Sequence, residues 1–168
     1  MAAVLNSGLA LEVQVPQHAV ILLVEDREDD VLIIAKAFAE ARLDNEVRVV
    51  SDGEAAIQYL KGEGIYADRS KYPLPNLILL DLKMPKVDGF EVLRWLRQQP
   101  AFANIVVVVL TMSTAIRDVN LAYQLGANSF MVKPDDFQNV TSMARVLKDY
   151  WLFGNKAPGM RPKTQPGA

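Results

Sequence analysis

The 168-residue chain contains no cysteine and only one histidine, His18. The absence of cysteine excludes disulfides, thiolate metal sites and cysteine nucleophiles. A single histidine excludes a histidine-rich metal site and disfavours a Ser-His-Asp triad. The chain also lacks an apolar run near the roughly 20 residues that span a bilayer, and its N-terminus lacks the basic and then apolar pattern of a secretory signal. We therefore expect a cytoplasmic protein without membrane contact.

A strong charge of either sign is also missing, since the formal net charge is −2. This balance gives no general attraction to nucleic acid, so direct nucleic-acid binding is not expected. Apolar residues make up 51% of the chain, which is enough for a substantial core. The length suits one domain with short ends. We expect an N-terminal arm at residues 1–17, a domain at 18–154, and a disordered tail at 155–168.

Short apolar runs alternate with stretches of helical periodicity between the two ends. The runs predict strands at residues 19–24, 47–50, 77–80, 105–110 and 130–132. The periodic stretches predict helices at residues 28–41, from Ser51 or Asp52 through Leu60, and at 88–100, 116–125 and 136–152. Repeated βα units with continuous apolar strands require a parallel sheet covered by helices on both faces. An open doubly wound α/β sheet is expected, because a barrel needs about 250 residues.

Polar side chains follow several of these strands directly. Glu25 and Asp26 follow the first strand, Asp81 the third, Thr111 the fourth and Lys133 the fifth. The carboxyl ends of parallel strands meet at one edge of the sheet, where open α/β folds bind ligands. Each residue also has a purely structural explanation, since acidic residues begin loops and threonine favours strands. Their coincidence at one edge favours a functional site.

The chemistry of this set is restrictive. Carboxylates gathered in one pocket repel each other unless a cation is bound, and oxygen ligands alone favour a hard ion such as Mg²⁺. A hydroxyl from Thr111 and an ammonium from Lys133 suit an anion with charge on several oxygens, as in phosphoryl transfer. Asp81, the lone acid at its strand end, is the candidate nucleophile, because aspartyl-phosphates are established intermediates.

The sequence resembles the receiver domains of two-component response regulators. The resemblance covers residues 19–152 and rests on Leu23-Val24-Glu25-Asp26, Leu80-Asp81-Leu82-Lys83-Met84-Pro85-Lys86-Val87-Asp88-Gly89, Val109-Leu110-Thr111 and Lys133-Pro134. It implies a (βα)5 flavodoxin-like receiver with a five-stranded parallel sheet in the order 2-1-3-4-5. It also implies a phosphoacceptor signalling protein that catalyses its own phosphorylation and dephosphorylation and is not an independent enzyme.

The same resemblance assigns roles to individual residues. Asp81 is expected to accept a phosphoryl group from a phosphohistidine of a sensor histidine kinase. The expected Mg²⁺ ligands are Glu25, Asp26, Asp81 and the backbone carbonyl of Lys83. Lys133 is expected to pair with the phosphoryl group and Thr111 to move toward it, while Phe130 occupies the position of the family's switch aromatic. Such a switch is a two-state element biased by a local change of charge.

Further details resemble a subgroup, the phytochrome-associated response regulators of the cyanobacterial type. These are Tyr66-Ala67-Asp68, in a long loop at residues 62–75, and Asp149-Tyr150-Trp151-Leu152 near the end. The subgroup implies a stand-alone receiver without an output domain, a phytochrome-type kinase as its partner, and a homodimer. The aromatic residues Tyr150, Trp151 and Phe153 suit an interface. Alternatively, Trp151 closes the core of its own domain.

Two other functions remain open from the sequence. The first is a receiver-like module that acts constitutively through protein contacts and is never phosphorylated; the complete set of site residues argues against it. The second is an aspartyl-nucleophile phosphatase. Those enzymes carry a second aspartate two residues after the nucleophile, and Lys83 occupies that position here.

Overall fold

The computed structural model describes residues 19–154. The predicted N-terminal arm at 1–17 and the predicted disordered tail at 155–168 lie outside these residues. The strands are β1 (Ile21–Val24), β2 (Val47–Val50), β3 (Leu77–Leu80), β4 (Val106–Thr111) and β5 (Ser129–Val132). They form one parallel sheet in the order β2-β1-β3-β4-β5. The predicted doubly wound fold and its strand order are confirmed.

Helices follow the strands and cover both faces of the sheet. They are α1 (Glu28–Glu40), α2 (Gly53–Lys61), α3 (Gly89–Gln98), α4 (Ile116–Gln124) and α5 (Phe137–Val146). Successive β1 residues alternate between two core clusters: Ile21 and Leu23 pack with α1 and α5, and Leu22 and Val24 pack with α2 and α3. The strands are continuous apolar runs because both of their faces are buried.

The last helix differs from the prediction of one regular helix at residues 136–152. The α-helical turns end at Val146, and a π-helical segment, Leu147–Gly154, continues the chain. Leu147 and Leu152 lie five residues apart and are both buried. A π-helix brings residues at that spacing to one side, so the wider turn places both leucines in the core. Trp151 also packs against this core.

The segment between α2 and β3 is folded back onto α2. It contains a 3₁₀ turn, Gly64–Tyr66. The rings of Tyr66 and Tyr72 lie 5.2 and 6.0 Å from the ring of the buried Tyr59. Arg69 donates hydrogen bonds to the carbonyl oxygens of Tyr59, Leu60 and Tyr72. Ile65 is exposed at the surface of this segment.

The helices described within residues 19–154 include none with the length and apolar character required to cross a bilayer.

Candidate functional site at the carboxyl edge of the sheet

The first and third strands deliver two acidic side chains to the same edge of the sheet. The hydrogen-bond ladder continues one residue past each strand, from the Glu25 N–H to Val50 O and from the Asp81 N–H to Val24 O, both at 3.0 Å. This pairing fixes the backbone at both residues. Glu25 and Asp81 are 2% and 5% exposed, and such burial of acidic side chains is unusual unless they are paired.

Asp26 completes an acidic cluster with these two residues. One carboxylate oxygen from each of Glu25, Asp26 and Asp81 lies within 4.8 Å of the others. The Asp26 Oδ1 atom is buried and has no hydrogen-bond partner among residues 19–154. A buried oxygen without a donor is costly, and the donor set consists of carboxylates only. Both observations fit a hard divalent cation.

Lys133 lies beside the cluster and is 7% exposed. Its ammonium donates to Asp81 Oδ2 and Asp30 Oδ2, each at 2.9 Å, and also to Glu25 Oε2. Burial alone lowers the pKa of Lys133, but the three carboxylate partners outweigh it and hold the pKa above its ordinary value. Burial also raises the pKa of Glu25, partly offset by Lys133. Three carboxylates therefore share one ammonium and Asp26 lies beside them, so negative charge remains in excess.

The contact of Asp30 with Lys133 was not expected from the sequence. Asp30 is in the first turn of α1, where the positive end of the helix is by itself enough to explain an acidic residue. The signal was nevertheless present. The helix after β1 begins at the same edge of the sheet, so its first turn lies over the site.

The loop between β3 and α3 approaches the nucleophile candidate closely. A Cβ atom on Gly89 would lie 2.2 Å from the Asp81 carbonyl oxygen, so glycine is required there. Asp88 caps α3 through a reciprocal capping box with Glu91. The Lys83 N–H donates to Asp81 Oδ1 at 3.2 Å, while the Lys83 side chain is exposed to solvent. The loop thus presents its backbone to Asp81.

Thr111 and Phe130 lie on the two strands that follow. Thr111 ends β4 and is fully buried, and its hydroxyl accepts a long hydrogen bond from the Ser113 N–H at 3.4 Å. Phe130 on β5 is partly buried against the core that includes α2 and α3. A second unpredicted contact lies nearby. The Ser113 hydroxyl donates to Asp118 Oδ2 at 2.5 Å and ties the loop after β4 to α4.

The fold and the site define a class of protein. A doubly wound sheet presents a buried aspartate, an acidic pair, a lysine and a threonine at one edge, and residues 21–145 match the family model of the response regulator receiver domain. The chain belongs to this family.

Individual relatives give a finer comparison. The probable methanogenesis regulatory protein FilR2 of Methanothrix harundinacea is 40% identical over 156 residues, which cover 92% of this chain and 96% of FilR2. Response regulator Rcp1 of Synechocystis is 38% identical over 133 residues, 79% of this chain and 88% of Rcp1.

Solved structures agree with this assignment. The phosphorylated cyanobacterial phytochrome response regulator RcpA has a TM-score of 0.78 at 36% identity, over 84% of this chain and 99% of RcpA. The Mn²⁺-bound form of Rcp1 has a TM-score of 0.75 at 37% identity, over 84% of this chain and 99% of Rcp1. The chain is thus a response regulator receiver domain that is similar to phytochrome response regulators. Receiver domains are signalling proteins that bind divalent metal, and the acidic cluster provides the matching ligand set.

Proposed function

We propose that this protein is a stand-alone response regulator that accepts a phosphoryl group on Asp81, in a Mg²⁺-dependent reaction, and signals by protein contact. The donor is a phosphohistidine on a sensor histidine kinase of the phytochrome type. The observation that carries the proposal is the buried Asp81 carboxylate, held by Lys133 and set among acids whose charge calls for a cation. The phytochrome pairing is supported by similarity to RcpA.

The residues of the site have distinct tasks in this reaction. Asp81 attacks phosphorus through a carboxylate oxygen, the phosphorus–nitrogen bond breaks, and the electron pair stays on the imidazole of the donor. Glu25, Asp26, Asp81 and the Lys83 carbonyl oxygen are the proposed Mg²⁺ ligands. Mg²⁺ held by these residues would neutralise charge on the carboxylate and on the phosphoryl oxygens. Lys133, which already contacts Asp81, supplies the second positive charge and stabilises the transferred group.

The covalent step is tested by intact mass after incubation with Mg²⁺ and acetyl phosphate. We expect wild type to gain the mass of one phosphoryl group and Asp81→Asn to gain none. Asp88→Asn is the matched control, because Asp88 is a partly exposed aspartate in the same loop. Asp88 caps α3, and asparagine can also act as a cap. If neither acetyl phosphate nor a phosphorylated kinase modifies wild type, the phosphoacceptor function is wrong and the constitutive interaction module replaces it.

Thr111 and Phe130 form the proposed switch. Thr111 is buried at the end of the strand next to Asp81, and Phe130 lies on the following strand. Both side chains are therefore close enough to the site to respond when charge is added to Asp81. We expect NMR shifts at Phe130 on addition of the phosphoryl mimic beryllofluoride in wild type. Thr111→Val keeps the side-chain shape and removes the hydroxyl, so these shifts should become smaller. Equal shifts in both proteins would contradict the role of Thr111.

A homodimer is also proposed, through the π-helical segment Leu147–Gly154. Tyr150 and Phe153 are 58% and 42% exposed on this segment, and exposed aromatic residues favour an interface, while Trp151 packs into its own domain. Sedimentation of wild type should give a dimer that Tyr150→Ser with Phe153→Ser converts to a monomer. A monomeric wild type contradicts the dimer.

A further inference from the structure

The three carboxylate partners of Lys133 fall into two groups. Glu25 and Asp81 belong to the acidic cluster that fits a cation, and Asp30 does not. Asp30 is instead on α1, with a side chain 17% exposed and its Oδ2 atom 2.9 Å from the Lys133 ammonium. An ammonium has three N–H donors, so each donor of Lys133 has a carboxylate acceptor.

A cation bound at the cluster competes with Lys133 for two of these acceptors. A bound cation would be held by the carboxylates of Glu25 and Asp81 and would neutralise part of their charge. Lys133 is nearly fully buried, and a buried ammonium that loses its partners is costly. Asp30 is the carboxylate partner that lies outside the cluster, so its hydrogen bond to Lys133 remains available when the cation is bound.

We propose that Asp30 is a positioning residue that holds the Lys133 ammonium while a divalent cation occupies Glu25, Asp26 and Asp81, and that it thereby raises the affinity of the site for the cation. This inference rests on the metal site of the proposed function. Without Asp30, the ammonium depends on Glu25 and Asp81 alone, and the cation must displace it from both.

Loss of the Asp30 charge weakens cation binding by simple electrostatics as well, and the two effects are separable. A charge effect is shared by Asp29, an exposed neighbour on the same turn of α1. It also persists when Lys133 is absent. The positioning effect should be absent from Asp29→Asn, because Asp29 makes no described contact with Lys133. It should also be absent when Lys133 is replaced, because the effect requires the ammonium.

The experiment measures Mn²⁺ affinity from the electron paramagnetic resonance signal of free Mn²⁺. The proteins are wild type, Asp30→Asn, Asp29→Asn, Lys133→Met and the double variant Asp30→Asn with Lys133→Met. Asp30→Asn should weaken binding about tenfold, whereas Asp29→Asn should change it less than about twofold. In the Lys133→Met background, Asp30→Asn should lose most of its effect. Asp30→Glu, which keeps a carboxylate, should bind Mn²⁺ better than Asp30→Asn.

Several results overturn the inference. Equal losses in Asp29→Asn and Asp30→Asn reduce the effect to general charge, and an undiminished loss in the Lys133→Met background means that Asp30 acts on the cation directly. Unchanged affinity in Asp30→Asn contradicts it outright. A wild type that binds no Mn²⁺ refutes the proposed metal site itself, which is a different failure. Thermal unfolding of each metal-free variant shows whether a loss of affinity reflects a loss of fold.

Discussion

Two cations lie at opposite edges of the sheet and have partners of different kinds. Lys133, at the carboxyl edge, donates to carboxylates. Arg97 on α3 lies at the amino ends of β4 and β5 and donates to neutral oxygens at 2.7–3.0 Å: the carbonyls of Gly126, Ala103 and Ile105 and the side chain of Asn128. Both cations are held in place by several hydrogen bonds.

The difference in partners separates a cation that supports the fold from one that lies at the candidate site. Burial lowers the pKa of Arg97, and no carboxylate of the described residues offsets this shift. The hydrogen bonds of Arg97 nevertheless satisfy backbone carbonyl groups just before β4 and β5, and they need no ligand to do so. Around Lys133, acids outnumber the cation, and an oxygen of Asp26 has no hydrogen-bond partner in the described part of the chain. Only the arrangement around Lys133 gains from an additional positive charge, and this supports the proposed cation site at the carboxyl edge.

The largest expected effect is that of Lys133→Met in metal-free buffer. Removing one partner of a buried ion pair costs about 3–5 kcal/mol, and here Glu25 and Asp81 both lose the ammonium that they contact. Mg²⁺ should restore part of this loss, and it should stabilise the variant more than it stabilises wild type. Urea unfolding in EDTA and in Mg²⁺ measures both effects.

Lys83→Met is the control for this prediction, since Lys83 is exposed in the neighbouring loop. It should leave the free energy of unfolding nearly unchanged. A loss in Lys133→Met that is the same with and without Mg²⁺ contradicts the view that Lys133 neutralises a cation site.

Arg97→Met should have the next largest effect, a loss of about 3 kcal/mol in the free energy of unfolding, because several carbonyl oxygens lose a charged donor. The loss should be the same in EDTA and in Mg²⁺. Arg94→Met, an exposed arginine on the same helix, should cost little. If Mg²⁺ rescues Arg97→Met as it rescues Lys133→Met, the distinction between the two cations is wrong.

The fold was predictable because the strands are uniform apolar runs, each followed by a periodic helix. The same regularity places Glu25, Asp26, Asp81, Thr111 and Lys133 at one edge. The structure brings four of them together, because Lys133 contacts Glu25 and Asp81, and Asp26 completes the acidic cluster. Their roles in phosphoryl transfer stay predictions. The site emerged from the sequence because each member ends a strand, and the topology alone then sets its position.

Other features were not predictable because they depend on tertiary contacts. Arg97 reads as an ordinary helix-surface residue, and its acceptors lie up to 31 residues away along the chain. Asp30 reads as a helix-start acid, although it contacts Lys133 across 103 residues. The π-helical turn at 147–154 covers too few residues for its period to be distinguished from that of an α-helix. The periodicity of a sequence identifies the buried faces of its elements and the ends of its strands. Side-chain partners that are distant in sequence can be identified only from the packed structure.

The smallest expected effect concerns an ion pair near the surface, between Asp52 and Lys86. Asp52 caps α2 by accepting from the Ala55 N–H at 2.8 Å and also pairs with Lys86 at 3.0 Å. These bonds, the backbone bond first, lower the pKa of Asp52 from its ordinary 3.8. At a pH between the lowered pKa and 3.8, the unfolded chain binds more protons than the folded chain. The contribution of Asp52 to the free energy of unfolding is therefore present above pH 3.8 and is lost as the pH falls through the lowered pKa.

Asp52→Asn keeps a capping acceptor but cannot titrate, so its stability should fall less steeply than that of wild type below pH 3.8. Asp52→Ala also loses the cap, which costs about 1 kcal/mol at neutral pH. Thermal unfolding across the acid range measures both, with the exposed Asp44→Asn as control. An acid limb in Asp52→Asn as steep as in wild type would contradict the role of Asp52. The acid sensitivity would then belong to other carboxylates, and the surface pair would contribute only its hydrogen bonds.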